Sequence, residues 1–149
     1  MAQERTMGKI NWGRVVLGGV LWFVVYGLLG AAAAYLYLVR EGREAFEQLG
    51  LRVVSHLDTP GFFAFVLVLT LVSGIFSIWF YAAIRPRYGP GPKTAVCAGF
   101  AMWMFAHLFP GLYWGQLLGL PIRLVALNEV TTLVAVVAAT LAGAWLYQE

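Results

Sequence analysis

GFFAFVLVLTLVSGIFSIWFYAAI, residues 61–84, carries no charged residue along its whole length. A helix of about 20 residues, rising 1.5 Å per residue, crosses the ~30 Å hydrocarbon core of a bilayer, and this run is longer. Inside lipid the backbone N–H and C=O groups must be satisfied within the segment, so the run predicts a transmembrane α-helix. Its apolar residues do not alternate with polar ones, which argues against a barrel strand.

Three more runs of this kind, at residues 15–39, roughly 95–113 and roughly 122–147, predict an all-α integral membrane bundle of four transmembrane helices in a single domain. Composition agrees: the 149 residues are 61% hydrophobic and only 11% charged, against about 25% charged in soluble domains. The connecting stretches leave no room for a soluble catalytic domain, so any chemistry is expected in or at the membrane. Lys9 and Arg14 ahead of the first run, with alanines at 31–34, superficially resemble a secretory leader. The run is longer than the 7–15 apolar residues typical of one, so it is read as a span.

Six Lys and Arg (Arg5, Lys9, Arg14, Arg85, Arg87, Lys93) fall on one side of these spans and four (Arg40, Arg43, Arg52, Arg123) on the other. The positive-inside rule then predicts both termini in the cytoplasm, a multi-pass protein of the inner (plasma) membrane, an outer loop at residues 40–60 and a cytoplasmic basic turn at 85–94. Arg14, Arg85, Arg87 and Lys93 are candidate contacts for lipid head groups. The net charge of +3 forms no basic stripe interleaved with aromatics, so the bilayer is the expected partner and nucleic acid is not. Trp12, Tyr35, Tyr37, Trp79, Tyr81, Trp114, Trp145 and Tyr147 lie near span ends and read as interfacial anchors.

In the outer loop, residues 40–51 read as a helical extension with Phe46 and Leu49 as its small apolar face. Asp58 or Thr59 ahead of Pro60 is a helix-start signal. The basic turn holds three prolines and two glycines between Arg85 and Lys93 and reads as a stiff non-helical connection. Its Gly-Pro-Lys-Thr ending is not a phosphate loop, since the spacing is wrong and Pro90 and Pro92 lack the N–H groups such a loop needs. Pro110-Gly111 threatens to end the third helix early and leave residues 112–120 as an interfacial or re-entrant segment.

Helices in lipid associate through close packing, which favours small residues at their contacts. The stripes Ala135, Ala139, Gly143 on the fourth span, Gly27, Ala31 and Gly30, Ala34 on the first, and Ser73, Ser77 on the second are expected to face other helices, in this chain or in an oligomer.

Glu129 lies inside the fourth span, where a carboxylate costs about 2.5–3.5 kcal/mol at mid-membrane. It needs a partner or a proton. His107 in the third span lies at a similar depth on the antiparallel neighbour, so His107 and Glu129 are a candidate intramembrane pair with Asn128 as an added hydrogen-bonding group. The plainer reading is a protonated or backbone-bonded Glu129 and an interior histidine serving only packing. Cys97, the only cysteine, forms no intrachain disulfide or cysteine zinc site, and His56 with Asp58 defines no metal geometry. No catalytic spacing is present, and Ser55, Ser73 and Ser77 have no base at a recognised spacing, so no catalytic residue is assigned; a membrane enzyme acting on lipid is the third alternative and needs a nucleophile and a base to converge near the outer interface.

The stretches INWGRVVLGG (10–19), YAAIRPRYGPGPKT (81–94) and LAGAWLY (141–147) together resemble a group of small bacterial four-helix membrane proteins. The resemblance implies that topology and brings no activity, cofactor or site residue with it.

The leading expectation is a small non-enzymatic subunit or accessory protein of a larger membrane complex, partnered by other membrane subunits or by itself. If that complex bears pigment or haem, His107 or His56 would be the axial ligand; no cofactor is otherwise indicated. The rival expectation is a small oligomeric transporter or channel in which Glu129 and His107 line a polar path.

Overall fold

The structure, a computed structural model, describes residues 10–48, 50 and 59–147. His56, Asp58, Arg5, Lys9, Arg52 and Leu49 lie outside them, as does the side chain of Phe46. The described residues are helical with short connections and no strand. Four helical runs, Trp12–Leu36, Pro60–Tyr88, Pro92–Leu118 and Ile122–Leu146, are long and apolar enough to cross a membrane.

Helix α1 (Trp12–Ala33) starts on an Asn11 side chain that accepts from Arg14 N at 3.2 Å. It passes through a widened π turn (Ala34–Leu38) into α2 (Val39–Gln48), the expected extension. Helix α3 (Pro60–Tyr88) is capped by Thr59, whose hydroxyl accepts from Phe62 N at 3.3 Å, with Pro60 at its first position. Helix α4 (Pro92–Trp103) continues through a second π turn (Met104–Leu108) into α5 (Phe109–Leu118). Helix α6 (Ile122–Leu146) closes the bundle.

Two proline readings are corrected here. Residues 85–88 are helical, because Pro86 falls in the last turn of α3, where its φ suits a helix and only one backbone bond is lost. The non-helical part shrinks to residues 89–91, where Gly89 and Gly91 have φ of 84° and 127°, conformations that favour glycine. Likewise Pro110 does not end the third run. The π turn just ahead of it takes up the local disruption, with Phe109 N donating to Met104 O, and the helix continues to Leu118.

Helix α1 packs between α3 and α6, and α4 packs chiefly on α6. The closest approaches run through glycine. A Cβ on Gly18 would lie 2.7 Å from Gly143 O, and one on Gly143 would lie 2.6 Å from Gly18 O. One residue along, a Cβ on Gly19 would lie 2.6 Å from Ile75 Cα, and one on Gly74 would lie 2.6 Å from Gly19 O. Ala135, Ala139, Gly143 and Ser77 are buried, as their stripes suggest. On α1 the packing glycines are Gly18 and Gly19, whereas Gly27 and Gly30 have no neighbour within 4 Å of a built Cβ. The contact depth is set by where α3 and α6 offer Gly74 and Gly143, which a stripe on α1 alone does not reveal.

Replacing Gly19 by Ala forces a methyl against the α3 backbone and is expected to cost about 1–3 kcal/mol, whereas Gly27→Ala stays within about 0.5 kcal/mol. Thermal midpoints of the two variants in the same detergent check the contrast.

Candidate functional site

Glu129, on the second turn of α6, is buried, with 5% of its surface exposed. One carboxyl oxygen, Oε1, accepts from Asn128 Nδ2 at 3.2 Å, while Oε2 is buried and has no hydrogen-bond partner among the described residues. The residue's own carbonyl is doubly satisfied. It accepts from Trp103 Nε1 at 3.0 Å and from Thr132 Oγ1 at 3.1 Å, which ties α6 to the end of α4. The carboxyl group rests against Gly111 of α5, where a built Cβ would collide with Oε1.

His107, in the π turn, is half-buried and faces Tyr26 of α1, with ring centroids 5.8 Å apart. Tyr26 stacks on Trp22 at 4.7 Å, and Trp22 Nε1 donates to Thr140 Oγ1 at 3.0 Å. Thr140 in turn donates to Val136 O at 2.7 Å. No hydrogen bond or ion pair joins His107 to Glu129 among the described residues. The group common to their surroundings is Tyr26, which meets the histidine ring and lies within electrostatic reach of Glu129. Sequence reasoning missed Trp22, Tyr26, Trp103 and Thr140. The signal available was an aromatic pair four residues apart in mid-helix, away from the interfaces where span aromatics concentrate.

Glu129 lines a cleft of about 270 Å³ between α2, α5 and α6, walled by Gly42, Gly111, Trp114, Gly115, Leu120, Leu124, Val125 and Asn128. Its polarity is confined to Asn128 and Glu129. A second cavity of about 420 Å³ adjoins it at Leu124 and is lined by Leu36, Glu41, Glu44, Ala45, Gln48, Pro121 and Arg123. There Arg123, 80% exposed, pairs with Glu41 at 3.6 Å, a surface contact worth about 0–1 kcal/mol.

At the end of the bundle where α1 starts and α6 finishes, Arg14, Arg87 and Lys93 are exposed, as head-group contacts require. Arg14 Nη1 also donates to Leu146 O at 3.2 Å. Arg85 instead lies over the Tyr147 ring, 5.5 Å from its centroid. Tyr81 and Tyr147 depart from the expected interfacial belt, since both are buried. Their hydroxyls accept from Gly91 N at 3.3 Å and Asn11 N at 3.2 Å, N–H groups at helix starts that no carbonyl of their own helix can reach. Among the described residues no three His, Cys, Asp or Glu side chains converge as metal ligands would.

No known protein family, curated protein or solved structure matches the chain.

Because the atom facing Gly111 is the end of a flexible side chain, Gly111→Ala is expected to displace the Glu129 carboxyl rather than open the bundle. Stability should change by less than about 1 kcal/mol. An infrared band assigned to the Glu129 carboxyl by comparison with Glu129→Gln should shift in the Gly111→Ala protein.

Proposed function

We propose that this chain is a small multi-pass membrane carrier that handles a proton or a small cation at Glu129. The observation that carries the reading is the buried Glu129 carboxyl, one oxygen of which has no hydrogen-bond partner among the described residues, on a cleft whose described lining offers no cation. A carboxyl group kept only as structural glue would be expected to have both oxygens satisfied, because an unmade hydrogen bond in hydrocarbon is costly. Buried carboxyls of this sort commonly mark ion or proton paths. In this reading Glu129 binds, Asn128 orients it, and Tyr26 is the neighbouring titratable group within electrostatic reach of the site. The protein lies in the plasma membrane with both termini in the cytoplasm, an orientation supported by exposed Arg14, Arg87 and Lys93 at one end of the bundle.

Proteoliposomes loaded with a pH-sensitive dye and challenged with proton, sodium, potassium or alkylammonium gradients test the carrier reading. Wild-type protein is expected to respond to at least one gradient, and Glu129→Gln to lose that response by tenfold or more while still folding. Wild-type vesicles indistinguishable from empty ones across the panel would overturn the reading.

A second reading, the accessory subunit, is favoured by a different observation. Residues 61–69 of α3 are exposed on every face, and Gly27 and Gly30 of α1 have open space where a neighbouring helix could fit. Mild extraction from the native membrane, followed by mass spectrometry and an absorption spectrum, is then expected to return larger subunits in fixed ratio. A visible band in that sample would direct attention to His107 as a cofactor ligand; a lone colourless chain would remove the subunit reading.

A further inference from the structure

We infer that the cleft ending at Glu129 is a binding site for a small primary alkylammonium ion. The inference rests on the carrier reading for its setting and on the cleft's own chemistry for its ligand. Asn128 spends an N–H on Glu129 Oε1, which leaves the Asn128 side-chain carbonyl oxygen and the buried carboxyl oxygen Oε2, without a hydrogen-bond partner among the described residues, as acceptors beside the cleft, Oε2 being reached as the Glu129 side chain turns toward it. Among the described residues no Lys, Arg or His lines the cleft, and the nearby Arg123 lies in the adjoining cavity, paired with Glu41. An ionised Glu129 therefore has no countercharge in its own cleft, and a ligand bearing N–H donors and a positive charge complements it.

The remaining walls decide between divalent metal ions and organic cations. They are glycine, leucine, valine and Trp114, and they offer no further side-chain oxygen. Calcium takes six to eight oxygen ligands and magnesium near-octahedral coordination, which two side-chain oxygens do not supply. A primary ammonium group can donate to both of these oxygens and carries a hydrocarbon tail that the apolar walls can cover, with Trp114 available to the cation. The volume of about 270 Å³ lies below the roughly 300–1,000 Å³ of pockets that take drug-sized molecules, so the tail is short. Where Glu129 is protonated beforehand, the ammonium ion replaces that proton: the carboxyl O–H breaks, the proton leaves to water, and the ammonium–carboxylate pair forms. Charge balances across the exchange.

The test uses the full chain in nanodiscs. A hydrophobic carbodiimide adds across a protonated carboxyl group to give a stable adduct, so peptide mass spectrometry reads whether Glu129 is reachable and free. Glu129 is expected to be labelled, with the adduct absent in Glu129→Gln. Butylammonium is expected to suppress labelling at least tenfold, butanol and tetramethylammonium to leave it unchanged, and each added CH₂ to lower the protecting concentration about fourfold until the tail outgrows the cleft. Gly42→Leu adds bulk at the cleft wall from a position where no described atom lies within 4 Å of a Cβ, and is expected to abolish protection in a folded protein. Equal protection by butanol, or none by butylammonium, overturns the inference. Protection without any ion response in vesicles would retain the ammonium site and discard the carrier.

Discussion

In hydrocarbon, helices gain little from burying apolar surface against one another, so the bundle depends on how closely its backbones can approach. That approach is concentrated on two consecutive residues of α1. Gly18 admits the carbonyl of Gly143 from α6, and Gly19 admits the backbone of α3 at Gly74 and Ile75. Because the two glycines are adjacent, one level of α1 contacts both neighbours at once. The next turn of the same helix then brings Trp22 inward, buried and within reach of Thr140, and the turn after that brings Tyr26 to His107. The aromatic column is thus a consequence of the glycine crossing, as side chains three and four apart share a helix face.

The handling of polar groups within the spans follows one pattern, and Glu129 departs from it. Thr70, Ser73, Ser77, Thr131 and Thr140 each donate to the carbonyl four residues back, closing their hydrogen bonds within their own helix. Trp22 and Trp103 pass theirs to another helix, at Thr140 and at the Glu129 carbonyl. Against this economy of local satisfaction, a buried carboxyl oxygen with no partner among the described residues stands apart, because the same fold supplies partners for the weaker groups around it.

How much of this could be read from residues alone depended on whether a feature was local. The four apolar runs, the Thr59-Pro60 helix start and the buried stripe of α6 are local, and the structure has them. That Glu129 stands out was also legible, since a carboxyl in an apolar run is anomalous by itself. The glycine pair used on α1, the inward turn of Tyr81 and Tyr147 and the Trp22–Tyr26 column were not, because each depends on which group a different helix presents at the same depth. Pro86 and Pro110 misled for a related reason: proline marks a local cost, and whether a helix survives it is decided by position in the last turn or by a neighbouring wide turn.

The π turn at Met104–Leu108 links that last point to the site. Up to Trp103 the third run presents Ala95, Ala98 and Gly99 to the bundle interior, with Gly99 set against Val137 and Thr140 of α6. Two turns of about 3.6 residues beyond Trp103 would bring Pro110, and then Trp114, onto the same face. A wide turn inserts the equivalent of one residue, and the face passes instead to Gly111 and Gly115, which meet Glu129 and Val125. Without that shift a proline ring and an indole would occupy the ground where α6 now rests its carboxyl group. The irregular turn therefore accommodates Pro110 and, by the same one-residue displacement, clears the space in which Glu129 sits and from which its cleft opens.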